Sequence, residues 1–166
     1  MSHFPDDILA LARGIVSDFT AKGLMVATAE SCTGGLIAGA LTDIPGSSAV
    51  VDRGFVTYTN TAKMEMLGVQ EQTLAQFGAV SKETALQMVH GALFRSHADF
   101  AVAVTGIAGP GGGSADKPVG LVHLAAKTRT GGLIHREMRY GDIGRDKVRL
   151  ATVRTALDML IALDQA

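Results

Sequence analysis

The chain has 166 residues, 47% apolar and 19% charged, with a formal net charge of −1. That length and apolar content support one folded core and exclude an intrinsically disordered chain. Scattered basic residues in a near-neutral chain exclude nucleic-acid affinity driven by phosphate neutralisation, and no apolar run approaches the ~20 residues of a membrane-spanning helix.

The elements follow in order. Pro5-Asp6-Asp7 suits a helix start, with acids in the first turn. Ile8, Leu11, Ala12, Ile15 and Phe19 repeat at helical spacing, and Gly23 ends the helix. A short strand is expected over 24–28, then a helix over 34–41 and a strand over 50–58 loosened at Arg53-Gly54. Asn60 is placed to cap a short helix that Gly68 closes, and Ser81 to cap a longer one carrying Ala85, Leu86, Val89, Ala92 and Leu93. Residues 100–104 form a continuous apolar run of the kind buried on both faces. Two strands over 121–126 and 133–140 flank Gly131-Gly132 as a hairpin, and a last helix is expected over 145–163. Alternating helices and strands with a late hairpin predict one α/β domain over 1–166, with helices on both faces of a mixed sheet.

The single cysteine, Cys32, has no partner for an internal disulfide, and no secretory leader precedes Pro5. A reduced, cytoplasmic setting is the expectation. The five histidines are dispersed and make neither an H-E-x-x-H nor a Cys/His ligand pattern, so no metal is expected.

Three small, hydroxyl-rich loops follow or precede strands: 28–35, 45–48 leading on to Tyr58 and Lys63, and 105–114. In open α/β sheets ligands bind beyond the carboxyl ends of strands. Lys63 falls in the first turn of its helix, where a cation opposes the dipole. As a functional group it makes sense as a general base, because burial and a positive helix end lower a lysine pKa. Its serine partner is open on the residues alone: Ser48 lies at a turn before a strand, and Ser31 at a strand end before Gly34-Gly35. The Gly34 and Gly35 amides are placed to meet an oxyanion or carboxylate. Tyr58 is placed to relay a proton, and Glu30 to orient Lys63, bind a ribose hydroxyl or cap a helix. Glu30, Lys63 and Cys32 together raise a cysteine amidase as a rival. The 105–114 loop carries neither a Walker motif nor a dinucleotide fingerprint, yet its glycines can present amides to an anion. Arg145, opening the last helix, can pair with a phosphate.

Taken together, T-A-E-S-C-T-G-G (28–35), D-I-P-G-S-S (43–48), F-V-T-Y-T-N-T-A-K (55–63), F-G-A-V-S (77–81), V-T-G-I-A-G-P-G-G-G-S (104–114) and K-P-V-G (117–120), with Gly141-Asp142 and Arg145, resemble the CinA C-terminal domain family. The resemblance spans nearly the whole chain and implies a stand-alone form of that domain. It implies a three-layer αβα sandwich with a mixed, mostly parallel sheet of about five strands. It implies hydrolysis of nicotinamide mononucleotide to nicotinic acid mononucleotide and ammonia, without a cofactor. Ser48 would be the nucleophile and Lys63 its base, with Tyr58 assisting. Ser31, Thr105 and Arg145 would complete the site, and the residues expected around the substrate are Glu30, Ser31, Gly34, Gly35, Thr105, Gly106, Gly112, Gly113, Ser114 and Arg145. A dimer is expected, and a non-catalytic nucleotide-binding or competence-associated module is the remaining alternative.

Overall fold

The computed structural model describes residues 1–166. Helix α1 spans Asp6–Lys22 and buries Ile8, Ala12, Ile15 and Phe19 along one face. Gly23 adopts φ 69°, and its amide closes the helix onto the carbonyls of Phe19 and Thr20. Strand β1, Val26–Glu30, is wholly buried and lies two residues later than the sequence reading, which places Ser31 directly at its end. A turn leads to α2 (Leu36–Thr42), then a single 3-10 turn (Ser47–Ala49) leads to β2 (Val51–Val56).

Helix α3 (Asn60–Leu67) is capped by the Thr59 hydroxyl, which accepts from the Ala62 amide at 3.0 Å. Asn60 is therefore the first helical residue and not the cap. Helix α4 (Glu71–Phe77) carries no signal that the sequence reading used: Gln70 precedes it without a side-chain cap. Helix α5 (Lys82–Phe94) is capped by Ser81 as expected. Gly91 lies where a Cβ would meet the Leu67 carbonyl oxygen at 1.9 Å, so the α3–α5 crossing requires a residue without one. Strands β3 (Phe100–Gly106), β4 (Leu121–Thr128) and β5 (Leu133–Arg139) follow, and α6 (Arg145–Asp164) ends the fold.

The five strands lie in the order β2-β1-β3-β4-β5. β1 pairs parallel with both β2 and β3, and the β3–β4 and β4–β5 pairs are antiparallel. Four of the five strands thus point the same way, with β4 reversed. Strand alternation divides the core. Val26, Val102, Val104, Val122 and Leu124 pack with α1, α2 and α6 on one face. Ala27, Ala29, Ala101, Ala103 and Ala125 line the other, under α5. Small side chains on that face let α5 approach the sheet closely, while the branched ones fill the wider space beneath α1 and α6.

Register sets the site. Glu30 pairs with Val56 on β2 and with Val104 on β3. The next residues, Ser31, Thr57 and Thr105, therefore form a row of hydroxyls across the carboxyl ends of three neighbouring parallel strands.

Candidate active site

Ser31 sits where β1 stops. Its amide still donates to the Val104 carbonyl at 3.1 Å, and its own carbonyl accepts from the Gly34 amide at 3.0 Å, closing a turn over 31–34. Lys63 reaches it from α3. The lysine is 1% exposed, its Nζ lies 2.9 Å from Ser31 Oγ, and it donates to the Thr57 carbonyl at 2.8 Å. Both partners are neutral, and no carboxylate pairs with this amine. A buried amine without a counter-ion favours its uncharged form, and burial accordingly pushes the Lys63 pKa below its ordinary 10.5; the charge of a Cys32 thiolate opposes that shift.

The pair opens onto a cavity of about 280 Å³ walled by Tyr58, Asn60, the 79–80 segment, Thr105–Gly109 and Arg145, with Gly111 and Gly112 at its rim. Arg145 donates to the Gly109 carbonyl at 2.8 Å and to Tyr58 Oη at 2.6 Å, bridging the mouth. Thr105 donates its hydroxyl to the Ala79 carbonyl at 2.8 Å, which ties the β3 end to the segment between α4 and α5. The amides of Gly109, Gly111, Gly112 and Gly113 have no acceptor within the chain. A hydroxyl beside a buried amine whose pKa is lowered, facing a cavity edged with free amides and a guanidinium, is equipped for acyl transfer on an anionic substrate.

Residues 9–163 match the family model of the CinA C-terminal domain. The chain belongs to the CinA C-terminal domain family. It is 50% identical to the nicotinamide-nucleotide amidohydrolase PncC of Escherichia coli (strain K12) over 155 residues, 93% of each chain. It is also 50% identical over 147 residues to a putative competence-damage inducible protein of Caldicellulosiruptor bescii, covering 88% of this chain and 35% of that longer one. Among solved structures, the competence/damage inducible protein CihA from Agrobacterium tumefaciens is 76% identical and superimposes with a TM-score of 0.98 over 99% of both chains.

In this CinA domain Ser48 does not meet Lys63. Ser48 is exposed on the 3-10 turn that precedes β2. Lys63 and Ser31 lie beyond the other end of the strands, and the six residues of β2 span roughly 20 Å. Within one chain the hydroxyl beside Lys63 is that of Ser31.

The other expected residues divide. Tyr58, Ser31, Thr105, Gly106, Gly112 and Arg145 line the cavity with Lys63. Tyr58 is 57% exposed and bonds to Arg145, not to Lys63. Glu30 faces away from the cavity. Its carboxylate accepts from the Thr33 hydroxyl at 2.6 Å and from the Ile37 and Ala38 amides at 2.9 and 3.0 Å, so it is the anion at the start of α2. The Gly34 amide is taken by Ser31, and Gly35 lies against the Val56 side chain; neither lines the cavity. Gly113 and Ser114 face an adjoining open hollow of about 560 Å³ with Arg139 and Asp142, and the Ser114 amide already donates to the Lys117 carbonyl.

Cys32 is buried, and its thiol is pushed up to about 11, first by burial and then by the Glu30 charge. At pH 7 only on the order of 1 molecule in 10,000 would hold a thiolate, and no histidine lines the cavity to activate it. The hairpin does bring His123 Nδ1 within 3.0 Å of His135 Nε2, a pairing not visible in the sequence, but outside this cavity. The sequence reading also missed Thr57, Asn60 and the 79–80 segment. Strand register was the signal for Thr57, and the cap at Thr59 for Asn60.

Proposed function

We propose that this domain hydrolyses the carboxamide of nicotinamide mononucleotide, giving nicotinic acid mononucleotide and ammonia, with Ser31 as nucleophile and Lys63 as its base. The observation that carries this reading is the uncharged environment of Lys63 Nζ, 2.9 Å from Ser31 Oγ. The family relationship and the 50% identity to an enzyme named nicotinamide-nucleotide amidohydrolase support the substrate.

The neutral amine takes the seryl proton as Ser31 Oγ attacks the carboxamide carbon, and the carbonyl oxygen becomes an oxyanion held by turn and loop amides. The Lys63 ammonium then gives its proton to the departing nitrogen, and ammonia leaves an acyl-serine. Water, deprotonated by the same amine, attacks the ester carbonyl; the ammonium returns that proton to Ser31 Oγ as the acyl–oxygen bond breaks, which frees the acid product to ionise and restores the hydroxyl. The Thr57 carbonyl accepts one N–H of Nζ, which leaves the amine's single lone pair available to Ser31. Arg145 and the amides of Gly111–Gly113 form the phosphate subsite, and the Tyr58 ring walls the mouth.

Ammonia release from nicotinamide mononucleotide by purified protein, in a chelator-containing buffer, tests the reading. Turnover that disappears in Ser31→Ala is the expected result. Absence of ammonia from folded wild-type protein rejects it.

A further inference from the structure

The residues immediately after Ser31 are held by a side chain from the far end of the sequence. Arg149, half-buried on α6, donates from Nε to the Cys32 carbonyl at 3.1 Å and from Nη2 to the Thr33 carbonyl at 3.2 Å. Two donors on one edge of a planar guanidinium match two successive carbonyls, which a lysine ammonium cannot do with the same geometry.

What that grip controls follows from the turn. Ser31 to Gly34 is closed by a hydrogen bond from the Gly34 amide to the Ser31 carbonyl, with Cys32 and Thr33 as the central residues. Thr33 keeps a negative φ, since only glycines in the chain have positive ones. The turn is therefore of the type I class, in which the central amides and carbonyls point in opposite directions as in one turn of helix. Pinning the Cys32 carbonyl fixes the peptide plane it shares with the Thr33 amide, and pinning the Thr33 carbonyl fixes the plane of the Gly34 amide, whose bond to the Ser31 carbonyl in turn holds the plane of the Cys32 amide. Neither the Cys32 nor the Thr33 amide donates to another residue of the chain, whereas the Gly34, Ile37 and Ala38 amides are all spoken for. Cys32 also lines the catalytic cavity. A cation at the carbonyl end of the turn further favours negative charge at its amide end.

We propose that Arg149 is a positioning residue for the acyl-transfer step: by gripping the Cys32 and Thr33 carbonyls it holds the 31–34 turn in the form that presents the free Cys32 and Thr33 amides to the developing oxyanion. The inference rests on the reading of Ser31 as nucleophile. Arg149 does not touch the substrate. It acts on the transition state through the turn, where a misplacement of about 1 Å can cost on the order of 100-fold in rate. Its guanidinium bonds to the Cys32 and Thr33 carbonyls, whereas Lys63 bonds to Ser31 Oγ and the Thr57 carbonyl, so the two residues share no partner.

The experiment compares wild type with Arg149→Met and Arg149→Lys for ammonia release from nicotinamide mononucleotide, thermal unfolding, and the rate at which a fluorophosphonate labels Ser31, read by mass spectrometry. Arg149→Met should lower kcat ~10- to 100-fold with KM within about twofold, leave the midpoint of the pH–kcat/KM profile unmoved, and slow labelling in parallel. Arg149→Lys, with one point donor, should recover only part of the loss. Both variants should remain folded at the assay temperature. Unchanged kcat and labelling in a folded Arg149→Met protein overturns the proposal, as does a loss confined to KM or a shifted pH midpoint. A wild-type protein that labels at Ser31 in an Arg149-dependent way yet releases no ammonia would preserve the positioning role and reject the substrate. Wild-type Ser31 that takes no label overturns the role outright.

Discussion

The Nζ of Lys63 and the Oγ of Ser31 lie 2.9 Å apart although 32 residues separate them, and they meet because the β1 end and the first turns of α3 share one edge of the sheet. If that pair carries the chemistry, either truncation removes it. Ser31→Ala and Lys63→Ala should each reduce kcat for ammonia release by at least about 10³-fold. Ser48→Ala should stay within about threefold of wild type, because its hydroxyl lies across the sheet from the cavity. A large loss in Ser48→Ala with an active Ser31→Ala would reverse the assignment.

Titration of Lys63 sets both an activity profile and a stability profile. In the proposed mechanism Lys63 works only when neutral, so kcat/KM should rise with pH, with a midpoint below the ordinary 10.5. In the unfolded chain the amine returns to its ordinary range. Between the two values the unfolded state holds a proton that the folded state has lost, so the free energy of unfolding rises with pH across that window. Below the folded value both states are protonated, and the fold carries the full cost of a buried cation. Above 10.5 both are neutral and the cost is gone. Urea unfolding of wild type and Lys63→Met from pH 7 to 10.5 checks this: wild type should gain on the variant as pH rises, and a constant difference would contradict it.

Cys32 separates a serine from a cysteine mechanism. Its thiol is buried and pushed up to about 11, so it is neither a nucleophile nor readily alkylated near neutral pH. Cys32→Ala should keep kcat within about threefold while costing on the order of 1 kcal/mol of stability from lost packing. Iodoacetamide at pH 7.5 should leave activity intact. Abolished turnover in a folded Cys32→Ala protein would restore the cysteine scheme.

The layers, helices on both faces, the hairpin and most boundaries were legible because periodicity and turn chemistry report local packing. Helix α4 was not, because it is short and opens on Gln70 without a side-chain cap. Lys63 was legible as a misfit, a cation set against a helix dipole with no local reason to be there. Ser48 misled because glycine-rich, hydroxyl-bearing turns look alike at the two ends of a strand. Chain direction distinguishes them: Ser48 precedes β2, whereas Ser31 follows β1 and Thr105 lies one residue before the end of β3, and ligands gather at the carboxyl ends. The capping role of Glu30 was one of three the sequence left open, and Arg149 was beyond reach for another reason. The Arg149 partners are backbone carbonyls of a turn whose orientation only the packed structure reveals, whereas Glu30 is settled among its options by the α2 amides it accepts from.

Glu30 tests whether a conspicuous acidic residue near the site binds substrate or builds the site. It is fully buried and accepts three hydrogen bonds from Thr33, Ile37 and Ala38. Glu30→Ala strands those donors in the interior and should cost about 2–4 kcal/mol, measured by urea unfolding. Glu30→Gln, which keeps the acceptor oxygen, should cost less. At a temperature where either variant is folded, KM for the nucleotide should stay within about twofold. A large KM increase in folded Glu30→Gln would place the carboxylate on the ribose instead.

Arg145 bridges the Gly109 carbonyl and Tyr58 Oη across the cavity mouth, and its remaining donors are free for an anion. The neighbouring amides of Gly111–Gly113 have no acceptor in the chain, and in the proposed phosphate subsite they would act together with the Arg145 charge. Arg145→Ala should therefore raise KM for nicotinamide mononucleotide ~10- to 100-fold, equivalent to about 1.4–2.8 kcal/mol of lost binding, with kcat changed by less than about fivefold. The nucleoside lacking the phosphate separates this from general damage to the mouth: its kcat/KM should already be low in wild type and should fall little further in the variant. Equal losses on nucleotide and nucleoside would mean that Arg145 serves the cavity wall through Tyr58, and that the phosphate binds elsewhere.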